Sequence, residues 1–245
     1  MDSNNYLYSP IIRCFTHKIM NVHTITEQVF KTWTSDWKAL EFETATFPFF
    51  ANEYSIQTGV VLNQKTLEYL LSTPGTSTIK IRFGFSKEEE NFFQVILWGT
   101  DELEQRITPY YHAKEAIFEK RPDQSNGGLV PAELQKQWRF YWLTKANDDL
   151  ISVQNFLVTH GFLKGYNYEL EEFMEALLID RKATDVRINF GLHEHLSPTY
   201  QEGDPAVYTF GLLLRAETGL QKLKDDSDDD DGYFDLSRPC PPTCK

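Results

Sequence analysis

An α+β fold is predicted, built by tandem duplication of a helix-helix-strand-strand module whose antiparallel sheet or sheets are covered by helices. Three observations point to it. The strand phrase IKIRFGF at residues 79–85 returns as VRINFGL at 186–192. A tryptophan pair, Trp33 and Trp37 in QVFKTWTSDWKAL, returns 105 residues later as Trp138 and Trp142 in ELQKQWRFYWLTK. Apolar spacing then changes from helical to alternating in the same order in both stretches.

Residues 1–23 read as an irregular N-terminal segment. It lacks a charged start followed by an unbroken apolar run, so no secretory signal is expected. Met20 is an alternative start, because regular patterning begins only after it. Module 1 spans 24–102 and module 2 spans 131–219. Between the tryptophans and the strand phrase, Phe50 and Gly59 match Phe156 and Gly165, and LEYLL (67–71) matches MEALL (174–178). The offset grows from 105 to 107 without a change of order, as duplication followed by small insertions would leave it. QVILWGTDE (94–102) resembles GLLLRAETG (211–219) further on.

Each element has a local reason. Tryptophans at i and i+4 share one helix face. Leu170, Phe173, Met174, Leu177 and Leu178 repeat at amphipathic spacing. Asn63 is placed to cap the LEYLL helix. Ile79, Ile81, Phe83 and Phe85 alternate with Lys80, Arg82 and Gly84, which predicts a strand apolar on one face and polar on the other. Val186, Ile188, Phe190 and Leu192 do the same. The following strands, Phe92 to Trp98 and Val207 to Leu214, are nearly all apolar and suit a fully buried place. SKEEEN closes the first hairpin and the longer HEHLSPTYQEGDP the second. Gly161 and Gly165 read as loop residues between helices, explained by capping. Residues 103–130 form a connector, ending in the turn-rich KRPDQSNGGLVP. Residues 220–245 are an acidic, disordered tail; from Asp225 it holds seven Asp against one Arg and one Lys. One such module is too small to stand alone, whereas two can close a shared core.

The helix, the (Val/Ile)-Arg-Ile-x-Phe-Gly strand and hairpin, and the Cys240-Pro-Pro-Thr-Cys244 tail together resemble a group of small proteins of Bacteroidota bacteria. The match is best over 173–217 and the tail, and looser over 79–100. The resemblance implies no activity and assigns no catalytic residue.

The chemistry is mostly exclusion. A net charge of −12 argues against nucleic acid. No run approaches the roughly 18 apolar residues of a membrane span. Three cysteines are too few for a disulfide framework, and a cytoplasmic location with Cys240 and Cys244 as exposed, reduced thiols is expected. DDSDDDDGYFDL fails as a calcium loop, since Ser227 and Arg238 fall where the first and last ligands belong. No nucleophile elbow or phosphate-binding loop occurs. Glu171, Glu172 and Glu175 form the solvated face of a helix. Lysines and arginines look scattered, with nothing to funnel a phosphate. No cofactor and no catalytic residue is expected. His193 and His195, alternating on one face, are the candidate metal ligands, with Glu202 and Asp204 nearby. His193, Glu194, His195 and Tyr200 are the candidate partner contacts, because loops on a rigid scaffold carry recognition. The expected function is a non-enzymatic binding or scaffolding protein, with a protein partner or self-association. The alternative is a metal-dependent or small-molecule enzyme sited between modules or at the histidine loop.

Overall fold

The structure, a computed structural model, describes residues 22–43, 45–89, 92–120, 134–178, 183–195, 201, 206–218 and 238–240. Two antiparallel sheets face each other across one aromatic core, and helices lie outside them, which makes the fold α+β. The first sheet runs β1 (Thr24–Ile25), β5 (Tyr110–His112), β4 (Phe93–Thr100), β3 (Thr78–Phe85), β9 (Gly165–Glu169) and β12 (Arg238–Cys240). The second runs β11 (Val207–Thr218), β10 (Ala183–His195), β2 (Ser55–Asn63) and β6 (Glu115–Lys120). A small ribbon pairs β7 (Leu157–Val158) with β8 (Gly161–Phe162).

Of the two hairpins foreseen in the sequence, β3–β4 forms the centre of the first sheet, while β10–β11 lies at one side of the second with β11 at its edge. The strands beside them were not foreseen. β2, from the first half of the chain, pairs with β10 of the second; β9, from the second half, pairs with β3 of the first. The exchange is matched in register: Gly59 faces Asn189, and Gly165 faces Arg82. Both glycines are needed because backbone approaches where a Cβ would sit. That atom would fall 2.4 Å from the Ile188 carbonyl oxygen at Gly59 and 2.1 Å from that of Ile81 at Gly165. Gly165 also has a φ of 150°, so the reading of it as a loop residue is corrected: it opens a strand at a tight crossing.

The inward faces follow the alternation. Ile81, Phe83, Ile188 and Phe190 are sealed from solvent. Phe83 meets Phe210 with ring centroids 5.5 Å apart, and Phe93 meets Phe190 at 5.4 Å, so the sheets interlock through edge-on aromatic pairs. Two tryptophans bind the exchange. Trp37 on α1 (Glu27–Ala39) donates its indole N–H to the Leu163 carbonyl at 2.9 Å; Trp142 on α3 (Leu134–Asn147) donates to that of Gln57 at 2.9 Å. Each helix thus holds the strand arriving from the other half.

α2 (Gln64–Ser72) starts where expected, with Asn63 Oδ1 accepting from Thr66 N at 2.9 Å. α4 (Leu170–Leu178) follows β9 directly. The polar face of β3 does not lie open, as a half-buried strand would leave it. α1 crosses it, with Trp33 Cβ 2.9 Å from where a Cβ on Gly84 would stand, and Lys80 and Arg82 are only 2% and 7% exposed. The connector contributes two real strands, β5 and β6, because the edges of both sheets still had free hydrogen-bonding groups. Similarly β12, inside the tail expected to be disordered, pairs with β9. Cys240 is fully buried there and disulfide-bonded, its partner sulfur lying outside the described residues, which corrects the expectation of an exposed, reduced thiol at Cys240; Cys244 lies outside the described residues. Among the described residues, no helix is long and apolar enough to cross a membrane.

Candidate functional site

A groove of about 340 Å³ runs between α1 and the β3–β9–β12 side of the first sheet. α1 is anchored at its start by Thr26, whose side chain accepts from Val29 N, and one of its faces presents Phe30, Lys31, Thr34, Ser35 and Lys38 to the groove. Arg82 on β3 and Lys164, just before β9, supply the floor. Four of the lining residues are cationic, and no carboxylate lines the groove among the described residues. Lys31 is neutralised by Glu27 at 2.7 Å on the solvent side. Among the described residues Lys38, Arg82 and Lys164 form no ion pair.

Arg82 is the unusual member. Its Nη1 donates to the carbonyls of Ile81 (2.8 Å) and Tyr166 (3.1 Å) and to Asn167 Oδ1 (2.8 Å), which fixes the guanidinium across the β3–β9 join. Nε and Nη2 carry no protein hydrogen bond among the described residues; Arg82 lines the groove, with its guanidinium 5.3 Å from the Trp98 ring. Burial pulls the pKa of Arg82 down to about 10; the opposing pull of Glu104 is smaller. Glu104 is engaged instead by the buried Lys80 ammonium at 3.8 Å. A guanidinium in this state is still charged at neutral pH, and a buried cation without an ion-pair partner is costly.

The register-matched place in the second sheet differs. Asn189 occupies the position of Arg82, facing Gly59 as Arg82 faces Gly165. Thr58 precedes Gly59 as Lys164 precedes Gly165, and Leu143 follows Trp142 as Lys38 follows Trp37. One cation there, Arg139, is neutralised by Glu119 at 2.5 Å, and Arg187 and Arg215 face each other on the β10–β11 hairpin. Among the described residues the first groove therefore gathers three cations that form no ion pair. On the far side of α1 a second hollow, about 420 Å³, has mixed charge, with Asp36, Glu43 and Glu88 against Lys87.

The sequence-predicted candidates sit at the far end of β10, which runs through His195, so His193 to His195 are strand residues rather than loop residues. His193 lies flat on Trp138, ring centroids 3.4 Å apart, over the space Gly211 leaves by lacking a Cβ. His195 is exposed on the same strand face, two residues on. Glu194 points to the other face, where it accepts from Tyr141 Oη and meets Tyr208 Oη at 3.5 Å. The bond to Glu194 raises the Tyr141 pKa, while burial and then Glu194 raise that of Tyr208. Tyr200, Glu202 and Asp204 lie outside the described residues. Among the described residues no group of three His, Cys, Asp or Glu could hold a metal.

A water-sized cavity of about 50 Å³ touches Gln57, Gln94 and His112. His112 Nε2 bonds Gln94 Oε1 at 2.6 Å, and burial, with smaller effects of His23 and Lys114, lowers its pKa to about 4.

The cationic groove corrects the impression of scattered lysines and arginines. Its members come from α1, β3 and a loop 82 residues beyond Arg82, and only the strand exchange brings Lys164 beside Arg82. The one local signal was Arg82, on a strand face that a helix was bound to cover. Compared with protein-family models, curated proteins and solved structures, the chain matches none.

Proposed function

We propose that this chain is a non-enzymatic binding protein formed by duplicating one module, 24–102 and 131–219, whose copies have exchanged a strand. What supports the reading is one frame used twice with differently furnished outer surfaces: the same glycine crossings and indole bonds, but Arg82 and Lys164 on the first sheet where Asn189 and Thr58 stand on the second. Duplicated scaffolds free one copy's surface to diverge while the core stays constrained. The partner contacts are proposed at residues 193–205, including His193, Glu194, His195 and Tyr200. The disulfide of Cys240 favours an oxidising compartment over the cytoplasm.

Two experiments test this. Residues 22–120 and 131–245 expressed separately should each fail to form a stable monomer, and should fold when co-expressed, because each lacks the strand that completes its sheet. A stably folded monomeric half would sink the exchange. Elemental analysis, together with a panel of chromogenic ester, phosphate and glycoside substrates, tests the absence of catalysis. One tightly held zinc per chain, or turnover lost in His193→Ala with His195→Ala, would favour an enzyme instead.

A further inference from the structure

We infer that the α1–β3–β9 groove is a binding site for a small organic oxyanion, a carboxylate or phosphate monoester carried on a flat apolar body. The inference rests on the binding-protein reading and names its ligand class. Arg82 offers two unbonded N–H-bearing nitrogens, Nε and Nη2, while its third nitrogen is clamped by two carbonyls and Asn167. A guanidinium held this way is pre-oriented, so little side-chain entropy is lost when an oxyanion docks on its fork. Lys38 and Lys164 flank it without acidic partners. Phe30, half-buried on α1, lines the same hollow and would take an apolar body. At about 340 Å³ the groove is in the range of small-molecule sites, not of a water pocket.

The simpler explanation is that Arg82 is a strut tying β3 to β9. The other sheet argues against it. There β10 and β2 pair in the same register with Asn189 in place of Arg82, and no bond from that side chain ties the strands among the described residues. Strand joining does not require the guanidinium. A protein of net charge −12 that leaves three unpaired cations around one hollow is selecting for negative charge at that spot.

The test uses the full chain with phenyl phosphate, benzoate, inorganic phosphate and neutral phenol, followed by calorimetry and by amide shift mapping. Phenyl phosphate or benzoate should bind one per chain, more tightly than inorganic phosphate and far more tightly than phenol, with shifts centred on Thr34, Lys38 and Lys164. Whichever of the two aromatic anions binds better identifies the headgroup. Arg82→Asn, which installs the residue of the matched position, should weaken binding about tenfold or more. Lys164→Thr and Lys38→Leu, at exposed or half-buried positions, should each weaken it less, and they keep the test valid if Arg82→Asn melts early. Lys65→Ala removes the same charge elsewhere and should change nothing. The inference is overturned if neither aromatic anion binds at millimolar concentration, or if Lys65→Ala weakens binding as much as the groove variants. Such a failure would leave the folding behaviour of the separated halves, and hence the duplicated scaffold, untouched.

Discussion

The two sheets share a frame and differ in what their outer faces carry. Inside, Phe83 and Phe190, Ile81 and Ile188, Trp37 and Trp142 occupy matched places and are all fully buried. Outside, Arg82 is matched by Asn189 and Lys164 by Thr58. The difference teaches which positions the fold constrains. An interior packed like a crystal rejects a change of shape, so its residues repeat. An outer groove is tied only by the need to satisfy backbone, and it can gain or lose charge freely.

The largest expected effect would break the comparison if it were one-sided. Phe83→Ala and Phe190→Ala should each cost about 3–5 kcal/mol in denaturant melts, as buried Phe truncations do. Both rings touch Phe93 and Phe210, so the two costs should agree within about 1 kcal/mol and should not add in the double variant. A twofold disparity would mean that only one half carries the core.

Next comes an effect confined to the first sheet, where β5 holds His112. Its folded pKa, about 4, lies below the ordinary 6.5, because burial disfavours the cation. The unfolded chain therefore binds the extra proton first as pH falls. The stability it contributes is full above pH 6.5 and is lost as pH drops from 6.5 toward 4, on the order of 3 kcal/mol in all. His112→Gln should flatten stability over that window. An unchanged pH slope would show that His112 is not the group responsible.

The strand-crossing glycines rank third. Gly59→Ala and Gly165→Ala should each destabilise by about 1–3 kcal/mol, since the added methyl meets backbone that cannot rotate away. Gly165→Ala should be the worse of the two, having the positive φ as well as the closer contact. Equal stability of either variant and the wild type would mean the crossing is looser than its geometry.

Much of this was legible in the sequence, and the boundary falls at a definite place. Alternation exposed β3 and β10 because their inward residues obey period two, and Asn63 announced α2 by its cap. β2 and β9 escaped because SIQTGVVLN and GYNYE mix polar and apolar residues at positions covered on both sides, leaving no clean period. Local pattern also cannot say which hairpin a strand will join. Once that was missed, the groove was out of reach, since Lys164 meets Arg82 only through the exchange. The buried place of Cys240 depends on β12, three residues long inside an acidic tail, and so had no sequence signal. His193 and His195 read as hairpin-loop residues because the polar run HEHLSPTYQEGDP hides where β10 ends, and the stacking of His193 on Trp138 required the helix above it.

The smallest predicted effect tests whether the two halves are capped independently. α2 is capped twice: Asn63 accepts from Thr66 N, and Asp185 Oδ1, from β10 of the other half, accepts from Gln64 N at 3.2 Å. At α4 the polarity is reversed, with Glu172 Oε2 reaching back to Glu169 N at 3.3 Å. Asn63→Ala removes one of two acceptors from α2 and none from α4. It should cost about 1 kcal/mol, the usual value for a lost cap, and no more, because Asp185 still satisfies the first turn. Amide exchange should quicken at Thr66 and Leu67 while the amides of Phe173 and Met174 keep their protection. Loosening that spread equally to α4 would mean that the cap supports the shared core as a whole rather than the first turn of α2.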